Sequence, residues 1–354
     1  MKTVAWLALA LSFTPLLAQA ATVTLTTSDA SAASSFASAG HWSNAAAPSS
    51  GNDYLVSSSG TTLLLRTAND AVSRTFAGNS LTIDGSAAQF GIKANGASTI
   101  TVGTAGMTTG GLTLSNGGTL NQGSAVSGTN LGVTTTFAGN IIVGTGGGTI
   151  TSNNGFGTAV NVTEGLTIAS TLSGSGSLSL SNSTSVNSNP GYIFDLTFTG
   201  NNSLFSGAVN LLNNSLLSTN GNTSGKPFTL VVEVGASSSL GTGAVTVAGA
   251  ASATVATTLT LDNNTAVSNS LTIGDATKTN WLLNLNFTGT DVVSSLTING
   301  VTYAAGTVID ASTPGISGIS GTGSLTVAPE PSAIALLLIG IGSVTLLGRR
   351  RLSC

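Results

Sequence analysis

An all-β fold, wound as a right-handed parallel β-solenoid, is what this sequence predicts, and three observations carry that reading. Short segments with apolar residues at alternate positions recur along the chain, glycine and asparagine turns separate them, and helix-patterned or charged stretches are scarce. The segment recurs as Leu81-Thr-Ile-Asp84, Leu112-Thr-Leu-Ser115, Leu166-Thr-Ile-Ala169, Leu178-Ser-Leu-Ser181, Leu259-Thr-Leu-Asp262, Leu271-Thr-Ile-Gly274 and Leu296-Thr-Ile-Asn299. Leu or Ile on one side and Thr or Ser on the other is the period-two pattern of a half-buried strand.

The composition agrees. Of 354 residues, 12 are acidic, 9 basic and one is histidine, so charged residues make up 6 %, against roughly a quarter in an average soluble domain. An intracellular enzyme is not expected from such a chain. Hydrophobic residues still reach 41 %, and disorder needs low hydrophobicity with high net charge, so the chain folds. Aromatics at 5 % and 46 glycines imply a core of small side chains and close backbone approach.

Residues 1–20 read as a secretory signal. Lys2 is followed by an apolar run from Val4 to Leu17 and then by Ala18-Gln19-Ala20, the charged, apolar and small-x-small order that signal peptidase cleaves. Cleavage is expected after Ala20.

Residues 21–75 are expected to form an N-terminal cap and the first strands. The sole histidine, His41, lies here in Gly40-His-Trp-Ser-Asn44, with Tyr54 shortly after. Any histidine-based triad or metal site has to be built on this one imidazole. Trp42 and Tyr54 shield the first coil in the structural reading, because solenoids need caps. In the functional reading, His41, Trp42 and Tyr54 contact a glycan. The densest charged group, Asp53, Asp70 and Asp84 with Arg66 and Arg74, is the one place to look for the two acids of a glycan-cleaving enzyme.

Residues 76–328 are expected to be the solenoid body. Turns fall at Asn116-Gly117-Gly118, Asn153-Asn154-Gly155, Asn220-Gly221 and Asn299-Gly300, where positive-φ positions are needed. Gly144 to Gly148 is a turn as well. Longer echoes are present: Phe76-Ala-Gly-Asn79 returns as Phe137-Ala-Gly-Asn140, and Gly207-Ala-Val-Asn-Leu211 as Gly243-Ala-Val-Thr-Val247. Stacking coils leaves strand edges only at the two ends. At roughly 20–25 residues per coil, ~12–15 coils about 4.8 Å apart give a body of ~60–70 Å, with Thr, Ser and Asn forming hydrogen-bonded ladders on successive coils. Two or more antiparallel sandwiches are the competing arrangement, since the pattern alone does not separate stacked strands from hairpins.

Between Ala21 and Ala328 the chain holds 11 acidic and 5 basic residues, a net −6. With no basic run, nucleic acid is not an expected partner. No Walker A, G-x-S-x-G, H-E-x-x-H or G-x-G-x-x-G motif occurs, and neither a cofactor nor a metal is expected.

Residues 329–354 begin with Pro329-Glu330-Pro331, continue through an apolar run from Ser332 to Gly348, and end on Arg349-Arg350-Arg351 and a lone Cys354. About 17 helical residues rise roughly 25 Å, just enough for a bilayer core, and the arginines fix the cytoplasmic end. A simple membrane anchor has these properties. The three-part order also resembles the PEP-CTERM sorting signal of Gram-negative bacteria. That resemblance implies processing near Pro329–Pro331 by an exosortase-type transpeptidase.

A second resemblance lies in Ser173-Gly-Ser-Gly-Ser-Leu-Ser-Leu180, Phe198-Thr-Gly-Asn-Asn-Ser-Leu-Phe-Ser-Gly-Ala-Val-Asn-Leu211 and Leu240-Gly-Thr-Gly-Ala-Val-Thr-Val247. These are similar to the autotransporter-associated β-strand repeat, which implies a passenger-like β-helix. The family's translocator barrel does not follow; the sorting tail takes its place, so self-export is not implied. Together the resemblances imply a non-enzymatic surface or extracellular-matrix protein of structural or adhesin-like type, meeting exopolysaccharide or neighbouring cells. The alternatives are a carbohydrate-binding module using Trp42, Tyr54 or Trp281, and a polysaccharide-cleaving enzyme using Asp53, Asp70 and Asp84.

Overall fold

The computed structural model describes residues 20–30, 34–123, 133–152, 162–182, 192–213, 228–249 and 255–329. Among these the chain is all-β, and no helix is long and apolar enough to cross a membrane. The expected signal peptide up to Gln19, Glu330, Pro331, the tail helix, Arg349, Arg350, Arg351 and Cys354 lie outside the described residues. So does Ala18, whereas Ala20 directly precedes the first strand, Ala21–Thr24.

Among the described residues the strands form a 15-stranded sheet, a ten-stranded sheet and a small three-stranded sheet. All seven alternating segments lie within or overlap strands. They pair in parallel with the equivalent segment of the next round, as Leu81 with Leu112 and Leu271 with Leu296. Antiparallel sandwiches are therefore excluded for these strands. Among the described residues, antiparallel pairing is confined to the two ends of the stack: Leu25 with Trp42 at one, and Ser295–Ile298 with Val301–Thr302 and Val308–Ile309 with Ser324–Val327 at the other. The last hairpin-type turn is Asn299-Gly300, with φ of 50° and 80°, the two left-handed positions that a tight two-residue turn requires.

Each round of the chain visits three faces. Strand Ser80–Asp84 is followed by Ala88–Ile92 and then by Ser98–Val102. The next round repeats the order, and strand Thr134–Val143 joins two faces in one piece: its first half pairs with Ser98–Val102 and its second half with Leu112–Ser115. The rounds are longer than the pattern suggests. Leu120, Ile150 and Leu180 pair in succession 30 residues apart, while Leu211 and Val247 are separated by 36 and Ile273 and Ile298 by 25. Three strands and their corners need this length, so the ten-stranded sheet contains nine parallel strands rather than 12–15 coils. At ~4.8 Å per step the stack is about 40 Å long.

The core is a set of columns. Leu65, Phe90, Leu120, Ile150, Leu180, Leu211, Val247, Ile273 and Ile298 follow one another in register and are all buried. The residues beside them form an outer row: Thr119, Thr149, Ser179, Asn210, Thr246, Thr272 and Thr297. Like residues do stack, as expected. The side-chain hydrogen bonds between rounds, however, concentrate at corners, as in Asn182 Nδ2 to Asn213 Oδ1 at 2.8 Å and Asn202 Nδ2 to the Ser239 carbonyl at 2.7 Å. A half-buried hydroxyl on a strand face can bond water, whereas a corner amide is enclosed and needs a protein partner.

Glycine sets one corner. Gly144, Gly176, Gly207 and Gly243 lie one above another, and a Cβ added to any of the last three would stand 1.9 Å from the carbonyl oxygen of the glycine before it. The glycines of the recurring G-x-L-x-L and G-A-V segments are thus the points where successive backbones touch.

Candidate functional site

The N-terminal end closes on an aromatic plug. Trp42 packs edge-on against Tyr54 with ring centroids 4.8 Å apart, Tyr54 meets Phe76 at 5.2 Å, and Phe36 bridges Phe76 and Phe90 at 5.3 Å each. Trp42 Nε1 donates to the Ser35 carbonyl at 2.7 Å, and the Tyr54 hydroxyl accepts from the Ser49 amide at 2.9 Å. Asp29 ties the plug down: its carboxylate accepts from the Ser35 amide and hydroxyl and from the Arg66 amide.

This burial corrects the glycan-platform reading of these aromatics. Trp42 is 3 % exposed and Tyr54 1 %, so neither ring offers a face on which a sugar stacks. Trp281 is also buried, with Nε1 donating to Asn299 Oδ1 at 2.8 Å. His41 is half-buried, its Nδ1 3.1 Å from the Thr27 carbonyl.

Asp53 and Asp84 do not have the spacing of a catalytic pair. Asp84 stands opposite Ser57, four residues along the strand from Asp53. At ~3.3 Å per residue the two carboxylates are roughly 13 Å apart, beyond the ~5–9.5 Å that glycoside hydrolysis needs. Each is also engaged: Asp53 accepts from Ser80, and Asp84 accepts from Ser115, Asn116 and Ser57. Hydrogen bonds from Ser115 and then Asn116 hold the Asp84 carboxyl below its ordinary range. Asp70 lies after a different strand, Leu63–Arg66, and takes two hydrogen bonds from the Arg74 guanidinium, which lower its pKa.

A second acidic group falls on the outer side of another face. Burial pushes Asp195 up, and Glu233 is raised by burial first and then by the hydrogen bond and charge of Asp262. No group of three potential metal ligands with suitable geometry occurs among the described residues.

A cleft lies elsewhere on the stack. Strand Leu204–Phe205 continues its face of the stack, but the next two rounds pass this face without a strand. Their backbones stay joined by single hydrogen bonds, Thr242 to the Phe205 carbonyl and Leu240 to the Ala266 carbonyl, while Leu240, Ala266 and Val267 keep the floor apolar and buried. Above this floor, parts of 201–203, 237–242 and 265–268 line an open cleft of about 340 Å³. Its walls carry hydroxyl and amide groups and no ionisable side chain. Asparagines brace it from within: Asn202 Oδ1 accepts from the Leu172 amide, and Asn263 Nδ2 donates to the Gly235 and Ser238 carbonyls.

Sequence reading passed over this cleft because Ser, Thr, Asn and Gly look the same in a turn and in a lining. The available signal was the interval between Leu204-Phe205 and the next strand on that face, filled by Ser237-Ser238-Ser239 and Asn263-Asn264-Thr265. No family model matches this sequence, and neither a curated protein nor a solved structure matches the chain.

Proposed function

We propose that this chain is a right-handed parallel β-solenoid that serves as a non-enzymatic, exported surface or extracellular-matrix protein of structural or adhesin-like type. In this reading residues 1–20 direct export and are removed by signal peptidase. The tail, with Pro329-Glu330-Pro331 and Arg349-Arg350-Arg351, holds the chain at the membrane for an exosortase-type transpeptidase of a Gram-negative envelope. Neighbouring cells or exopolysaccharide are then its surroundings.

One observation carries the proposal. The outer row Thr119, Thr149, Ser179, Asn210, Thr246, Thr272 and Thr297 presents uncharged hydroxyl and amide groups along the stack, over a continuous apolar column. Such a body is rigid and chemically quiet, which suits a role set by position and shape. Pro329 is exposed two residues after the end of the last described strand, Ser324–Val327, and proline keeps its neighbourhood extended, as a protease-like enzyme requires. The test is the intact mass of the mature protein from envelope and matrix fractions. A chain from Ala21 to about Pro331 is expected; an uncut tail leaves a permanent membrane anchor instead and removes the sorting step.

A further inference from the structure

We propose that the cleft between the Leu204–Phe205 strand and the two strand-free rounds that follow it binds a short segment of a neutral, polyhydroxylated glycan.

The chemistry of the lining selects this ligand class. Besides the buried Ser238, three lining hydroxyls already spend their proton inside the protein: Thr242 donates to the Phe205 carbonyl, Ser268 to the Gly241 carbonyl and Thr265 to Asn263 Oδ1. A hydroxyl has one donor and two acceptor sites, so each of these keeps lone pairs for a visitor. Ser203 and Ser237 are exposed, and their hydroxyls have no partner among the described residues. Even with the Asn201 amide and the Ser239 hydroxyl counted as donors, the lone pairs of these hydroxyls outnumber the donors, so the cleft offers more acceptors than donors. A ligand rich in O–H groups complements that surplus.

Other classes fit less well. A phosphate or uronate needs a cation, and the lining contains none. A cationic ligand would find no carboxylate there. A peptide unit holds its single N–H in a fixed plane, whereas each sugar hydroxyl turns its O–H to suit the acceptor it meets. At about 340 Å³, the cleft is at the small end of ligand sites, which run roughly 300–1,000 Å³, so it takes a short segment and not a whole chain.

The geometry is preformed. Asn202 bridges three rounds, accepting from the Leu172 amide at 2.9 Å and donating to the Ser239 carbonyl at 2.7 Å. The buried Ser238 hydroxyl donates to the Gly200 carbonyl at 2.8 Å. Little ordering is left for the ligand to impose. Lacking an aromatic platform, one cleft binds weakly, with Kd on the order of 1 mM, and a polymer spanning many copies gains by avidity.

The inference deepens the matrix-protein reading by naming what such a protein holds. The test titrates the mature protein with neutral gluco-, manno- and galacto-hexaoses and with hexagalacturonate, following amide shifts by NMR. Millimolar binding of a neutral hexaose, with shifts at Ser237 and Thr265 and at least a tenfold loss of affinity in both Ser237→Trp and Thr265→Glu, supports the site. The inference is overturned if no neutral hexaose binds, if both variants bind as the parent does, or if the uronate binds better. Intact mass on the same preparation separates the two ideas. A correctly cut chain that ignores the sugars sinks the cleft and leaves the matrix role standing; an uncut chain that binds them does the reverse.

Discussion

Gly207 rests on Gly176: a Cβ at Gly207 would lie 1.9 Å from the Gly176 carbonyl oxygen. The same contact recurs one round later between Gly243 and Gly207. The glycine is kept by the spacing of rounds, since neither residue has a positive φ.

Gly207→Ala is expected to destabilise the fold by about 1–3 kcal/mol, the usual cost of forcing a methyl into packed surroundings. Gly60→Ala, where a Cβ meets no atom within 4 Å, is expected to stay within about 0.5 kcal/mol of the parent. Urea midpoints of the two variants check this, and equal effects would remove the stacking explanation.

Asp291 makes stability depend on pH. It is 2 % exposed, accepts from the Val267 amide at 3.3 Å, and burial pushes its pKa up to about 6. The folded form holds its proton more tightly than the unfolded one, so its stabilising effect is full below about pH 4 and is lost as pH rises to about 6. The difference corresponds to about 3 kcal/mol. Asp291→Asn is expected to flatten this part of the stability–pH curve, which unfolding at fixed temperature from pH 4 to 7 measures directly.

Trp42→Ala is expected to cost about 3–5 kcal/mol, as for other large buried aromatics, because it empties the plug over Tyr54 and frees the Ser35 carbonyl. Calorimetry reads this as a lower melting temperature. Sugar affinity measured well below that temperature stays unchanged, since the ring is enclosed.

Ser152 is 1 % exposed and its hydroxyl has no hydrogen-bond partner among the described residues. Ser152→Ala is expected to be neutral or stabilising by up to about 1 kcal/mol, because an unpaired buried hydroxyl costs desolvation without return. A clear loss of stability would mean that the hydroxyl is satisfied in solution.

Strand identity was legible from residues such as Leu81, Ile83, Leu112 and Leu114, whose alternation allows one buried face. Parallel pairing was legible only through the need to cover strand edges, because alternation is common to both kinds of sheet; the register of Leu81 on Leu112 bears it out. Round length was misjudged because corners such as 199–203 carry no apolar pattern to count. Trp42 and Tyr54 have the same composition in a sugar platform as in a plug, and only their burial distinguishes the two. The cleft is an interruption of the ladder, and an interruption leaves no motif.

The stack itself is tested most directly by electron–electron distances from one spin label at Thr119 to a second at Asn210, Thr246, Thr272 or Thr297 in turn. These positions lie three, four, five and six rounds away. At ~4.8 Å per round the separations are expected to grow evenly, from about 14 Å to about 29 Å. Distances that stall or shorten along the series would contradict lengthwise stacking of the rounds.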